Sequence, residues 1–166
     1  MATTLMPFGP RSFFLPSSNP PGMDVIAAQN REYLAFDDTT EETCYSPAFY
    51  MPLAYAGGTL AAYIGGFFSS EDTAEDEAVM AVSIEAITVG DGVNVAAASS
   101  WDTENTCEID PPATAGLECQ GVCTLTNKDN VAAGDLVRLR LARKVDNAAD
   151  TATGDFNVLC LELREA

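Results

Sequence analysis

Three groups of residues in this chain have side chains that could do chemistry. The first is the cysteines: Cys44, Cys107, Cys119, Cys123 and Cys160. Cys119 and Cys123 have the look of a metal or redox pair. Four residues of extended strand span roughly 13 Å, whereas a disulfide needs Cα atoms within about 7 Å. A straight strand therefore cannot close that pair, although a helix or a bulge could. Zinc sites draw on histidine or on close Cys-x-x-Cys pairs, and this chain has no histidine. Buried, inert thiols are the expectation. The second group is the carboxylates, with runs at Asp37/Asp38, Glu41/Glu42, Glu71/Asp72 and Glu75/Asp76/Glu77. Two carboxylates can hydrolyse a glycoside, and loops 69–77 and 146–155 offer oxygens for calcium. The runs lie in loops already dense in acid, and the EF-hand spacing is missing, so solvated carboxylates are expected. The missing histidine also removes the usual general base and the Ser-His-Asp arrangement. No phosphate-loop or dinucleotide fingerprint is present. The reading is non-enzymatic, with no catalytic, cofactor-binding or metal residue assigned and no cofactor expected.

The third group is the basic row Arg138, Arg140, Arg143 and Lys144. It stands out because the chain carries −17 overall. Residues 1–34 are neutral, residues 35–127 hold sixteen acids and no Lys or Arg, and residues 128–166 hold six basic residues against seven acids. A body this acidic has no cation cluster to displace phosphate counterions and is repelled by anionic membrane surfaces. Neither nucleic acid nor membrane is an expected partner. The basic row is expected to pair with acidic loops of its own or a neighbouring subunit. Such pairs add little stability but select which partner docks.

The elements that must position these groups read as short strands. At 166 residues one ordinary domain is expected. No apolar run reaches the ~18 residues of a membrane span, and prolines interrupt the N-terminus where a signal peptide would need its apolar segment. A soluble protein made in a cytoplasm is expected. Residues 1–31 read as an extended, irregular arm, because Pro7, Pro10, Pro16, Pro20 and Pro21 oppose helix and regular sheet. The arm also carries Leu5, Met6, Phe8, Phe13, Phe14 and Leu15, which suggests that it crosses onto a neighbouring subunit or scaffold. From residue 32 to 166 a sandwich domain is expected. Its strands are sought at 33–37, 43–51 (broken by Pro47), 59–68, 77–89, 118–127, 136–144 and 156–164, with a fragment inside 93–117. Part of 77–89 could be helical. Gly65–Gly66 suggests a kink or a close backbone approach. In 136–144, Val137, Leu139 and Leu141 should face inward, and Arg138, Arg140 and Lys144 outward. About eight strands without a long amphipathic helix predict an all-β sandwich. A jelly roll is preferred, since uneven loops suit its crossovers.

Two stretches carry a resemblance. Tyr33 to Tyr63 reads YLAFDDTTEETCYSPAFYMPLAYAGGTLAAY, and Gly134 to Leu163 reads GDLVRLRLARKVDNAADTATGDFNVLCLEL. They resemble a family of small structural proteins of tailed phages, with an early "aFDdtTeE…mP..Y.GGtl" segment and a terminal "GD.v.lr..Rd..nAaDTa.GDa.ll.vel" segment. The match covers roughly 60 residues, and nothing in it is a catalytic signature. The resemblance implies a β-sandwich virion subunit, often a homotrimer, assembled in the host cytoplasm and placed on the capsid surface, with the major capsid protein or other virion proteins as partners. A capsid decoration (cement) protein is the favoured role, and a tail or fibre component the first alternative. The expected assembly contacts are Phe8, Phe13, Phe14, Leu15, Arg138, Arg140, Arg143 and Lys144. A carbohydrate-binding module is an alternative of another class, with Trp101 and Tyr45, Tyr50 or Tyr55 as its aromatics.

Overall fold

The computed structural model describes residues 2–71, 76–97 and 99–165. Among them run eleven strands: β1 (Thr3–Phe8), β2 (Gly22–Ile26), β3 (Arg31–Phe36), β4 (Thr43–Tyr45), β5 (Phe49–Tyr50), β6 (Leu60–Phe68), β7 (Ala78–Ile87), β8 (Asn105–Ile109), β9 (Glu118–Leu125), β10 (Leu136–Arg143) and β11 (Phe156–Glu165). One short 3-10 turn, Pro10–Ser12, follows β1. The first sheet runs β2-β3-β11-β6-β9, and β1 lies beside β11 next to β3. The second runs β4-β10-β7-β8, with β5 also against β10. All pairings are antiparallel. From β3 onward the pairs nest: β3 with β11, β4 and β5 with β10, β6 with β9, and β7 with β8. The protein is an all-β sandwich of two antiparallel sheets.

Period-2 alternation builds the core. From the first sheet come Leu34, Phe36, Leu60, Ile64, Phe68, Phe156, Leu161 and Leu163; from the second come Met80, Val82, Ile84, Val137, Leu139 and Leu141. The inward set expected in β10 is buried as read. β7 is strand throughout, with no helical part, and it is buried on both faces from Ala78 to Glu85. Gly66 has its predicted close approach. A Cβ there would lie 2.4 Å from the carbonyl oxygen of Asn157 and 2.9 Å from the Phe156 ring.

The irregular arm is corrected. β1 pairs with the last strand and β2 with β3, so both belong to the first sheet. Proline density misled because β1 pairs with β11 alone, and proline is tolerated in such an edge strand. The register shift between Thr4 and Met6 takes up the irregularity. Pro10 opens the 3-10 turn, where a missing N–H costs nothing. Apolar density overrode the prolines. Phe8 and Phe13 are buried in the chain's own core, with Phe8 5.5 Å from Phe49 and 6.0 Å from Phe13 between ring centroids. Each such ring contributes about 1.5–3 kcal/mol by leaving water. The arm's grip on a neighbour therefore loses these two residues.

Candidate assembly face

The outer side of the second sheet collects the surface residues with the most to offer a partner. Directly opposed strand residues share a face. Arg140 stands opposite Tyr45 on one side and Ser83 on the other. Tyr45 in turn exchanges backbone hydrogen bonds with Phe14 at 2.7 and 3.0 Å. Leu136 stands opposite both Tyr50 and Ile87. Phe14 and Tyr50 are each 64% exposed. Trp101 arrives from the β7–β8 connection and stacks on Tyr45 at 5.7 Å between centroids. The guanidinium groups of Arg138 and Arg140 lie 5.1 and 5.8 Å from its ring centre, a cation–π arrangement.

The cations of this face are paired within the chain. The Nε of Arg138 donates to Glu85 at 2.8 Å. Arg140 donates to Glu104 at 2.8 Å and to the Ser83 hydroxyl at 3.0 Å. Lys144 reaches Glu41 at 2.8 Å and Glu104 at 3.4 Å. Burial pulls the Lys144 ammonium down, but the two carboxylates outweigh it and hold it above the ordinary lysine value. The expected pairing with the chain's own acidic loops is the arrangement found for Arg140 and Lys144, through Glu104 and Glu41; Arg138 pairs instead with Glu85 on β7.

Arg143 is corrected. It continues the inward parity of Val137, Leu139 and Leu141, is fully buried, and forks onto Asp150 at 3.0 and 3.1 Å. It also donates to the carbonyls of Phe36, Ala152 and Gly154. It is a fold-holding residue and has no surface to offer a partner. Of the eight expected contacts, Phe14, Arg138, Arg140 and Lys144 fall on one side of the second sheet. Leu15 is partly exposed beside Phe14, while Phe8, Phe13 and Arg143 are interior.

The sequence reading missed the apolar end of this face. Tyr50, Val89, Val93, Val95 and Leu136 line a shallow depression. It adjoins a groove of about 450 Å³ that is lined by Ala48, Val93, Val95, Leu136, Arg138 and Asp129. Leu53, 87% exposed, lies against Gly134, two residues from Leu136. Val93 and Val95 come from the run 93–117, expected to hold only a strand fragment, while Val89 ends the stretch expected as strand 77–89. Their one signal was Val89, Val93 and Val95 recurring around the Gly90–Asp91–Gly92 turn.

Other candidate chemistry sits elsewhere. Asp37, Asp38 and Asp155 offer oxygens within 4.8 Å of one another, the arrangement that could receive a cation. Asp37 is held below the usual carboxylate range by hydrogen bonds from the Thr39 side chain, then from the Thr39 and Thr40 backbone. Burial, then Asp37 and Asp38, push Asp155 up. Burial likewise raises Glu42. The calcium reading of loop 69–77 falls in part on residues 72–75, outside the described residues. Tyr55 is buried, donates to the Gly58 carbonyl and accepts from Lys128. With the Trp101 ring engaged by Tyr45 and two arginines, Tyr50 is the most open of the aromatics considered for sugar stacking.

The remaining cations are also engaged: Arg11 with Glu32, Arg164 with Glu162 and the Tyr63 ring, and Lys128 with the carbonyls of Gly57 and Gly58. Among the described residues only Arg31 has no such contact. The negative charge of the exterior is left uncompensated. A scan against protein-family models gives no match, and a search of curated proteins gives none either.

Proposed function

We propose that the chain is a structural subunit of a phage virion, a decoration protein that binds and stabilises the head shell, and that it docks through the outer side of the second sheet. The observation that carries this is the grouping of Phe14, Tyr50, Trp101, Arg138 and the exposed valines on one side of an otherwise acidic body. Tyr, Trp, Phe and Arg are the side chains enriched where proteins meet, while Lys, Glu and Asp are depleted there. The resemblance of residues 33–63 and 134–163 to small virion proteins points the same way. The jelly-roll form of the sandwich belongs to this reading, and the nested pairing from β3–β11 to β7–β8 supports it. The occupant of the face is the major capsid protein. Homotrimers on the shell would multiply weak single contacts. At −17 the chain steers toward a shell surface that carries cations around an apolar contact.

The test is binding to phage heads that lack the protein. Tyr50→Ser, Val93→Ser and Val95→Ser together remove exposed apolar groups and leave the core alone. Each would bury about 1.5–3 kcal/mol of apolar surface on docking, and a tenfold change needs about 1.4 kcal/mol. Bound copies should fall more than tenfold at fixed concentration, with the thermal midpoint unchanged. Full occupancy by the triple variant would overturn the reading.

A further inference from the structure

The β8–β9 edge of the sandwich carries a chemistry that the docking reading does not use. β8 is an edge of the second sheet and β9 an edge of the first. The two edges meet along one side of the sandwich and run antiparallel to each other. At one end Ile109 packs on Gly121 so closely that a Cβ at Gly121 would lie 2.4 Å from an Ile109 side-chain carbon. At the other end the Asn105 side-chain amide donates to the Asn127 carbonyl at 2.8 Å, and its oxygen accepts the Asn127 N–H at 2.9 Å. Two residues in from Ile109 is Cys107, and two residues on from Gly121 is Cys123. Parity turns both inward: Cys123 is buried in the core and Cys107, partly buried, packs against it. The Cys123 thiol donates to the Asn105 carbonyl at 3.0 Å.

We propose that Cys107 and Cys123 are a dithiol that closes into a disulfide, stapling the two sheets along their β8–β9 edge. The contacts on either side already fix the strand separation, so closure asks for a side-chain rotation and no strand movement. The acidities of the two thiols point the same way. Cys107 is pushed up by donating its proton to the Cys123 sulfur and by burial, and Cys123 is drawn down by the same bond. Both thiols are free as the structure stands. The oxidant is a low-molecular-weight disulfide such as oxidised glutathione. One cysteine sulfur displaces a glutathione thiol to form a mixed disulfide. The second cysteine sulfur then attacks the first and releases the other glutathione thiol. Two cysteine protons leave, one disulfide forms and one is reduced. A reducing cytoplasm keeps the pair open, and an oxidising medium closes it.

Oxidised glutathione is added to the folded full chain, remaining thiols are alkylated in denaturant, and the peptides are mapped by mass spectrometry. The expected product is one Cys107–Cys123 link, with Cys44, Cys119 and Cys160 alkylated. Closing a loop of about 15 residues should lower the unfolding constant about a hundredfold relative to the reduced protein. Cys107→Ala should abolish both the link and the gain, and Cys119→Ala should keep both. Should Cys107→Ala fail to fold, the wild-type map decides alone. A different linkage, a reaction that stops at glutathionylated Cys107, or no reaction would each overturn the proposal.

Discussion

Replacing Arg143 by methionine removes five hydrogen bonds at once. Two of them go to Asp150, whose carboxylate is 2% exposed, and three go to carbonyl groups of Phe36, Ala152 and Gly154. Methionine keeps much of the volume but none of the donors. Asp150 would retain only the Val79 N–H at 2.8 Å as a partner. Stranding one member of a buried ion pair costs about 3–5 kcal/mol, a large share of the ~5–15 kcal/mol that holds a domain folded. With a urea slope near 2 kcal/mol per molar, the unfolding midpoint should fall by about 2 M. Urea titration followed by Trp101 fluorescence reads it. Adding Asp150→Leu to Arg143→Met removes the stranded charge and should recover part of the loss. A midpoint shift under about 0.5 M for Arg143→Met would refute the reasoning, because it would mean that the buried fork holds nothing together.

Further outcomes follow from the packing and the charges of the sandwich. Phe8→Ala opens a cavity between Phe13 and Phe49 and should cost about 3–5 kcal/mol in urea titration. A truncation of residues 2–22 should therefore unfold the chain, where a detachable arm would leave it intact. Asp155 and Glu42 have raised values, so their folded forms hold protons that the unfolded chain has released. Their contribution is full below the ordinary carboxylate pKa and is lost as pH rises through the raised values; thermal midpoints should rise as pH falls from 7 toward the ordinary carboxylate range. Asp155→Asn should flatten that rise and stabilise the protein at pH 7, since it removes a charge facing Asp37 and Asp38. Arg140→Ala uncovers the Trp101 ring and should red-shift its emission, with a loss under about 1 kcal/mol for a partly exposed pair; Arg138→Ala should do the same but cost more, because it strands the buried Glu85 carboxylate.

The strands were legible wherever period-2 alternation met a turn residue. β10 and β11 stood out because leucine and valine alternate with arginine or polar residues. β1 and β2 were hidden by proline, whose penalty falls away on an edge strand or in a 3-10 turn. Arg143 was grouped with Arg138 and Arg140 by charge alone. Counting by twos from Val137 puts it inside, and Asp150 seven residues later was its partner. Cys107 and Cys123 lie on different sheets, and only the strand order sets them face to face; the spacing of Cys119 and Cys123 drew attention to the wrong pair. Within the resembling segments, Phe36, Arg143, Asp150, Ala152 and Gly154 form one buried hydrogen-bonded knot. Those motifs hold this knot and also carry Tyr50, Leu136, Arg138 and Arg140 of the docking side, but not Phe14, Trp101 or the exposed valines.

The proposed function has this chain coat a phage head through the outer side of its second sheet. Its copy number in purified virions, from quantitative gel densitometry against the major capsid protein, tests that most directly. Hundreds of copies per particle are expected, lost from heads when Tyr50, Val93 and Val95 are replaced by serine. A handful of copies at the tail, or none in the particle, would contradict it.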